Sequence, residues 1–66
     1  NPQTRAARGI SYDNLTGGRR RVRCAIDPHL APGDTLDLGG GETMTVGELT
    51  ISISASSAVM EAAESA

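Results

Sequence analysis

The sequence predicts an all-β fold: a small antiparallel meander or barrel of four to five strands with a bulge near Gly47. Three observations predict it. Apolar and polar residues alternate through residues 19–26 and again through 35–38, the period-2 mark of a half-buried strand. Clusters of Gly, Pro, Asp and Ser separate these runs at short intervals, as turns between strands do. The longest run, "TMTVGELTISIS", is rich in β-branched residues and carries one change of parity at a glycine.

Each element can be justified in order. Residues 1–9, "NPQTRAARG", show no alternation and read as a linker or N-terminal arm, leaving residues 10–66 as a single small β-domain. "ISYDNL" reads as a short strand with Ile10 and Tyr12 on one face, and "TGG" as the turn after it. In "RRRVRCAI", Val22, Cys24 and Ile26 point one way and Arg21, Arg23 and Ala25 the other. "TLDL" turns Leu36 and Leu38 inward, and "GGGE" is the tight connection a hairpin needs. In the long run, Met44 and Val46 are even-numbered, whereas Leu49, Ile51 and Ile53 are odd. A straight strand would place the two sets on opposite faces. One extra residue in a bulge at Gly47 restores a common face, and a corner there would carry the strand from one sheet to another. "AVMEAAESA" has helix-favouring composition but follows a strong strand and a short Ser turn, so a returning strand through Val59 and Met60 is expected.

Length and composition bound the function. A chain of 66 residues buries only about 60% of the surface its unfolded form exposes. Tyr12 is the only aromatic residue and Cys24 the only cysteine, so there is neither an internal disulfide nor a Cys-rich zinc site. A core this small without a staple is expected of a fragment of a longer chain, or of a subunit stabilised by neighbours. No apolar stretch approaches the length of a membrane span. The net charge of −2 is strongly polarised: residues 1–25 hold six arginines against Asp13, a net +5, and residues 26–66 hold seven acids and no Lys or Arg, a net −7. Two readings follow, head-to-tail contact between copies or neighbours, and pairing of a basic strand with acidic strands of the same chain.

Candidate chemistry is sparse. Asp27, His29, Asp34 and Asp37 crowd the stretch "IDPHLAPGDTLDL", but their spacing matches neither a calcium loop nor a zinc site. A connector accounts for more of these residues. Pro28 ends the preceding strand, Leu30 tucks beneath the loop, and Pro32 followed by Gly33 has the chemistry of a type II turn. Asp34 can then accept hydrogen bonds from nearby backbone N–H groups. Arg19, Arg20, Arg21 and Arg23 form the candidate interaction run. Phosphate binding is one reading of it, but aromatic residues for base stacking are missing and the chain is net acidic; the other reading is a sheet face paired with acids such as Asp37 and Glu48, or an edge protected by charge. Cys24 lies on the apolar face and reads as structural, and the serines at 52, 54, 56 and 57 have no acid/base partner in view. No catalytic, cofactor or metal residue is assigned, and no enzyme activity, small-molecule substrate or membrane contact is expected.

The order of features resembles the C-terminal β-domain of tail hub and minor tail proteins of long-tailed bacteriophages. Chains of that kind often carry a "P-x-L-x-P-G-D" step before a strand and then a strand like "y-x-V-x-x-(I/L)-x-x-S-I-S". The matching residues are Pro28, Leu30, Pro32, Gly33, Asp34, Val46, Leu49, Ile53 and Ser54, and the likeness spans residues 19–64. The resemblance implies a structural packing module in a phage tail, with other tail subunits or copies of itself as partners. It places the chain in the virion, or in the host cytoplasm during assembly. The alternatives are a head–tail joining protein and a small nucleic-acid-binding β-barrel that uses the arginine-rich strand.

Overall fold

The computed structural model describes all 66 residues, and every regular element is a strand. The strands are β1 (Thr4–Ala6), β2 (Tyr12–Thr16), β3 (Arg19–Cys24), β4 (Thr35–Gly39), β5 (Glu42–Ile53) and β6 (Ala58–Glu64). Their order across the sheet is β1-β4-β5-β6-β3-β2. Four neighbouring pairs are antiparallel and β1–β4 is parallel. The all-β class is thus as expected. The strand count and the pairing are not: there are six strands, one pair is parallel, and the sheet stays open with β1 and β2 at its margins. The additional strand comes from the arm of residues 1–9. It has no apolar alternation because backbone hydrogen bonds hold it, from Thr35 N–H to the Gln3 carbonyl (2.9 Å) and from Ala7 N–H to the Asp37 carbonyl (2.8 Å).

β5 organises the molecule. Its first part pairs with β4, from Glu42 to Thr45, and from Glu48 onward it pairs only with β6. The register shifts at the junction: Val46 is opposite Glu64 and Glu48 is opposite Ala63, so Gly47 is the extra residue of a β-bulge. The parity change in the sequence is therefore a corner between two half-sheets. Gly47 is required by close approach. A Cβ there would lie 2.7 Å from Ser65 Cα and 3.0 Å from Ser65 N.

The core lies where the two halves meet. Leu36, Met44 and Val46 from the β4–β5 half, with Leu30 from the loop, pack with Val22, Cys24, Met60 and Ala62 from β3 and β6. Cross-strand register brings the second set together, Cys24 opposite Met60 and Val22 opposite Ala62. Burying each of the larger side chains contributes roughly 1.5–3 kcal/mol. Ile26, Leu38 and Leu49 pack partly against this cluster. The strand expected from Ile10 begins only at Tyr12, and Ile10 and Tyr12 are both exposed. Ile51 and Ile53 share a face with Leu49 but stand 51% and 76% exposed, because β5 and β6 run on beyond what covers them.

Candidate functional site

The loop between β3 and β4 is built as two consecutive turns. Leu30 N–H donates to the Asp27 carbonyl (3.2 Å) and closes the first, which puts Leu30 into the core. Asp34 N–H donates to the Ala31 carbonyl (3.1 Å) and closes the second. Gly33 has φ = 95°, the left-handed value that a type II turn demands at that position and that glycine adopts without strain. The second turn is joined to β5 beside the corner: Gly33 N–H donates to the Val46 carbonyl and Val46 N–H to the Asp34 carbonyl, both at 2.8 Å.

The acids of this loop have separate tasks. Asp34 is buried, and its carboxylate accepts from Gln3 N–H (3.0 Å) and Ala31 N–H (2.9 Å), tying the N-terminal arm to the turn. Those two backbone donors hold its pKa below the ordinary carboxylate range. Asp27 pairs with Arg5 and also accepts from His29 N–H at 2.9 Å. The Arg5 bond is the main cause of its lowered pKa. Asp37 accepts from Gly39 N–H at 2.9 Å. Asp27, His29, Asp34 and Asp37 do not converge, and no group of three or more His, Cys, Asp or Glu side chains is placed to hold a metal ion.

An open cleft of about 390 Å³ lies between the arm and the start of this loop, lined by Arg5, Arg8, Ile26, Asp27, Pro28 and His29 among others. Its central charges, Arg5 and Asp27, neutralise each other. No hydroxyl or thiol lines it to act as a nucleophile beside His29. Cys24 is fully buried, and burial, with the nearby charge of Asp27, raises its pKa, which keeps the thiol protonated.

The arginine run divides between the two faces of the sheet. Arg20 has the parity of Val22 and Cys24 and lies on the core side. It grips Asp13 through two bonds, Nε to Oδ1 at 2.8 Å and a terminal nitrogen to Oδ2 at 2.6 Å, and reaches Glu42 at 2.6 Å. It thereby joins β2, β3 and the start of β5. Both carboxylates raise its pKa, and its hydrogen bond lowers that of Asp13. Arg21 and Arg23 lie on the outer face, where both pair with Glu61, at 3.1 and 2.8 Å. Arg23 also lies over the Tyr12 ring, 4.5 Å from its centroid, the residue directly opposite it on β2. Arg19 is the one member of the run without an ion pair.

Four of the six arginines, Arg5, Arg20, Arg21 and Arg23, therefore have partners within the chain, three of which, Asp27, Glu42 and Glu61, come from the acidic half, whereas Asp37 and Glu48, the partners expected for the run, form no ion pair. Asp13, Glu42 and Glu61 were not singled out from the sequence. Parity could have found the inward position of Arg20, but Glu61 becomes the partner of Arg23 only once β6 is known to lie beside β3. The structurally important positions Pro28, Pro32, Gly33, Asp34 and Gly47 all lie in the double turn or at the corner it braces. No family model, curated protein or solved structure matches the chain.

Acid should destabilise the fold. Asp13, Asp27, Asp34 and Glu61 all have pKa values lowered by folding. The folded state therefore binds fewer protons than the unfolded state through the carboxylate range. Their stabilisation is complete above the unfolded values of about 4 and is lost as pH falls through the folded ones. Thermal melts should give a level Tm from about pH 8 to 5 and a falling Tm below that. Asp34→Asn should flatten this fall while lowering the Tm at neutral pH. A Tm that is unchanged at pH 3 would contradict the assignment.

Proposed function

We propose that the chain is a structural packing module of a long-tailed bacteriophage tail, of the hub, baseplate or minor-tail kind, and that it acts by contact with neighbouring subunits in the virion. One observation carries the reading. The two separated parts of the motif by which the sequence resembles that family are hydrogen-bonded to each other: Gly33 and Asp34 of the "P-x-L-x-P-G-D" step bond Val46, where the second part begins. The motif is thus a brace for a strand corner, a role that is architectural and needs no reacting group. The distribution of charge supports the same reading. On the outer face Glu61 already holds Arg21 and Arg23, which leaves Arg19 and Arg8 as free cations, a thin basis for binding a phosphate backbone.

The test is incorporation. In particles purified from cells that encode the chain, it should co-sediment with the tail components, and a tag on it should label the tail in electron micrographs. Recovery in the soluble fraction alone, with assembled tails lacking it, would refute the proposal. Label at the junction of head and tail would favour the joining-protein role instead.

A further inference from the structure

β5 presents two different outer edges. As far as Val46 that edge is bonded to β4 and to the turn at 31–34. From Glu48 to Ile53 the strand pairs with β6 alone, so the backbone N–H and C=O groups on its other side have no strand partner. Along this stretch Leu49, Ile51 and Ile53 share the face of Met60 and Ala62, while Thr50 and Ser52 share the opposite one. Leu49 packs on the core, and Ile51 and Ile53 are exposed.

Sheets normally guard such edges with charge, proline or brevity. The two marginal strands are guarded. β1 is three residues long, carries Arg5 and follows Pro2 closely, and β2 sets Asp13 between its apolar residues. On the β5 edge the bulge at Gly47 and the charge of Glu48 stand at one end only, and nothing guards the stretch beyond them. Residues 49–60 contain neither charge nor proline and form the longest uncharged stretch of the chain.

We propose that this edge is a self-pairing surface, through which two copies of the chain join by antiparallel β5–β5 pairing about a two-fold axis. The stretch is complementary to itself. With Ile51 opposite its own counterpart, Leu49 faces Ile53 of the second copy, Thr50 faces Ser52, and Glu48 faces Ser54. Apolar side chains meet on one face, hydroxyl side chains on the other, and the two Glu48 carboxylates lie at opposite ends of the paired segment. β2 fails the same comparison, since pairing centred on Asn14 sets Asp13 against Leu15. The joined edge covers Ile51 and Ile53 and continues one sheet through both copies. The inference rests on the reading of the chain as a packing module and names the surface by which it packs.

Sedimentation velocity over a range of concentrations should show a monomer–dimer equilibrium. Ile53→Lys and Ile51→Lys should each abolish the dimer and leave the circular dichroism spectrum unchanged, and Leu15→Lys should retain it. Directly opposed residues of an antiparallel pair have Cα atoms about 4.5–5.5 Å apart, within disulfide reach. Ile51→Cys should therefore give a covalent dimer with oxidised glutathione, and Leu15→Cys should not. The proposal is overturned by a strict monomer, by a dimer that both lysine variants leave intact, or by an edge that captures a strand of another tail subunit instead of a second copy. Incorporation into tails without dimerisation would overturn this inference and leave the packing-module reading in place. Dimerisation without incorporation would do the reverse.

Discussion

Gly47→Val should lower the stability of the fold by roughly 1–3 kcal/mol, the range for forcing extra atoms into a packed site. For a domain of this size that is a fall in Tm of about 4–8 °C for each kcal/mol. The cause is steric. The first added carbon would already sit 2.7 Å from Ser65 Cα, a backbone atom that can yield only if the end of β6 moves. Moving it endangers the bond from Ser65 N–H to the Thr45 carbonyl (2.9 Å), which fastens the chain after β6 to the other side of the corner. Gly47→Ala should therefore also destabilise, by less. Removing Ser65 and Ala66 should cancel most of the penalty of Gly47→Ala, a coupling that a double-mutant cycle measures directly. Equal melting temperatures for Gly47→Val and the parent would exclude the close approach as the reason for glycine.

Leu36→Ala should remove a large part of the stability of the fold. Leu36 is fully buried and heads the fully buried side chains by size. It lies opposite Met44 and next to Arg5 across β4's two pairings, so the cavity would open where both half-sheets rely on it. Truncating a buried leucine costs about 2–5 kcal/mol. Domains hold about 0.05–0.15 kcal/mol per residue, or ~3–10 kcal/mol for this length. Leu36→Met, which conserves volume, should cost less than about 1.5 kcal/mol. Ile53→Ala, at a surface position, should change stability by no more than about 0.5 kcal/mol. Urea titration separates the three, and similar midpoints for Leu36→Ala and Ile53→Ala would contradict the placement of the core.

Much of this fold was legible because alternation reports burial directly. Val22 and Cys24 mark β3, Leu36 marks β4, and the parity change from Val46 to Leu49 marks the corner at Gly47. Pro32 and Gly33 likewise declared their turn through backbone preference alone. β1 was not legible, because Thr4–Ala6 is held by main-chain bonds to which any residue but proline can contribute. The exposure of Ile51 and Ile53 was hidden for another reason: periodicity tells which face a side chain takes but not whether anything lies over it. The arginine run misled because adjacent residues in sequence look like one patch. A strand splits them, sending Arg20 to Asp13 and Glu42 and its neighbours to Glu61.

The arm gives the molecule an edge held mainly by polar bonds. Thr4 and Ala6 are exposed and Arg5 is only half-buried, so β1 adds almost nothing to the apolar core. Its hold, with that of the residues around it, is mostly polar: the short parallel ladder, the Arg5–Asp27 pair, the grip of Asp34 on Gln3 N–H, the Gln3 side chain on the His29 carbonyl and the bond from Ala25 N–H to the Arg8 carbonyl, with Ala7 alone packed on the core. Segments with few buried contacts open at a small fraction of the global free energy. The Thr35 amide, which is bonded to the arm, should therefore exchange its hydrogen through local openings, whereas the Val46 amide should wait for the whole sheet to unfold. Each such opening would bare the outer side of β4, the strand that carries Leu36, and each closure would cover it again. On that result, β1 would act as a reversible guard on the edge of β4.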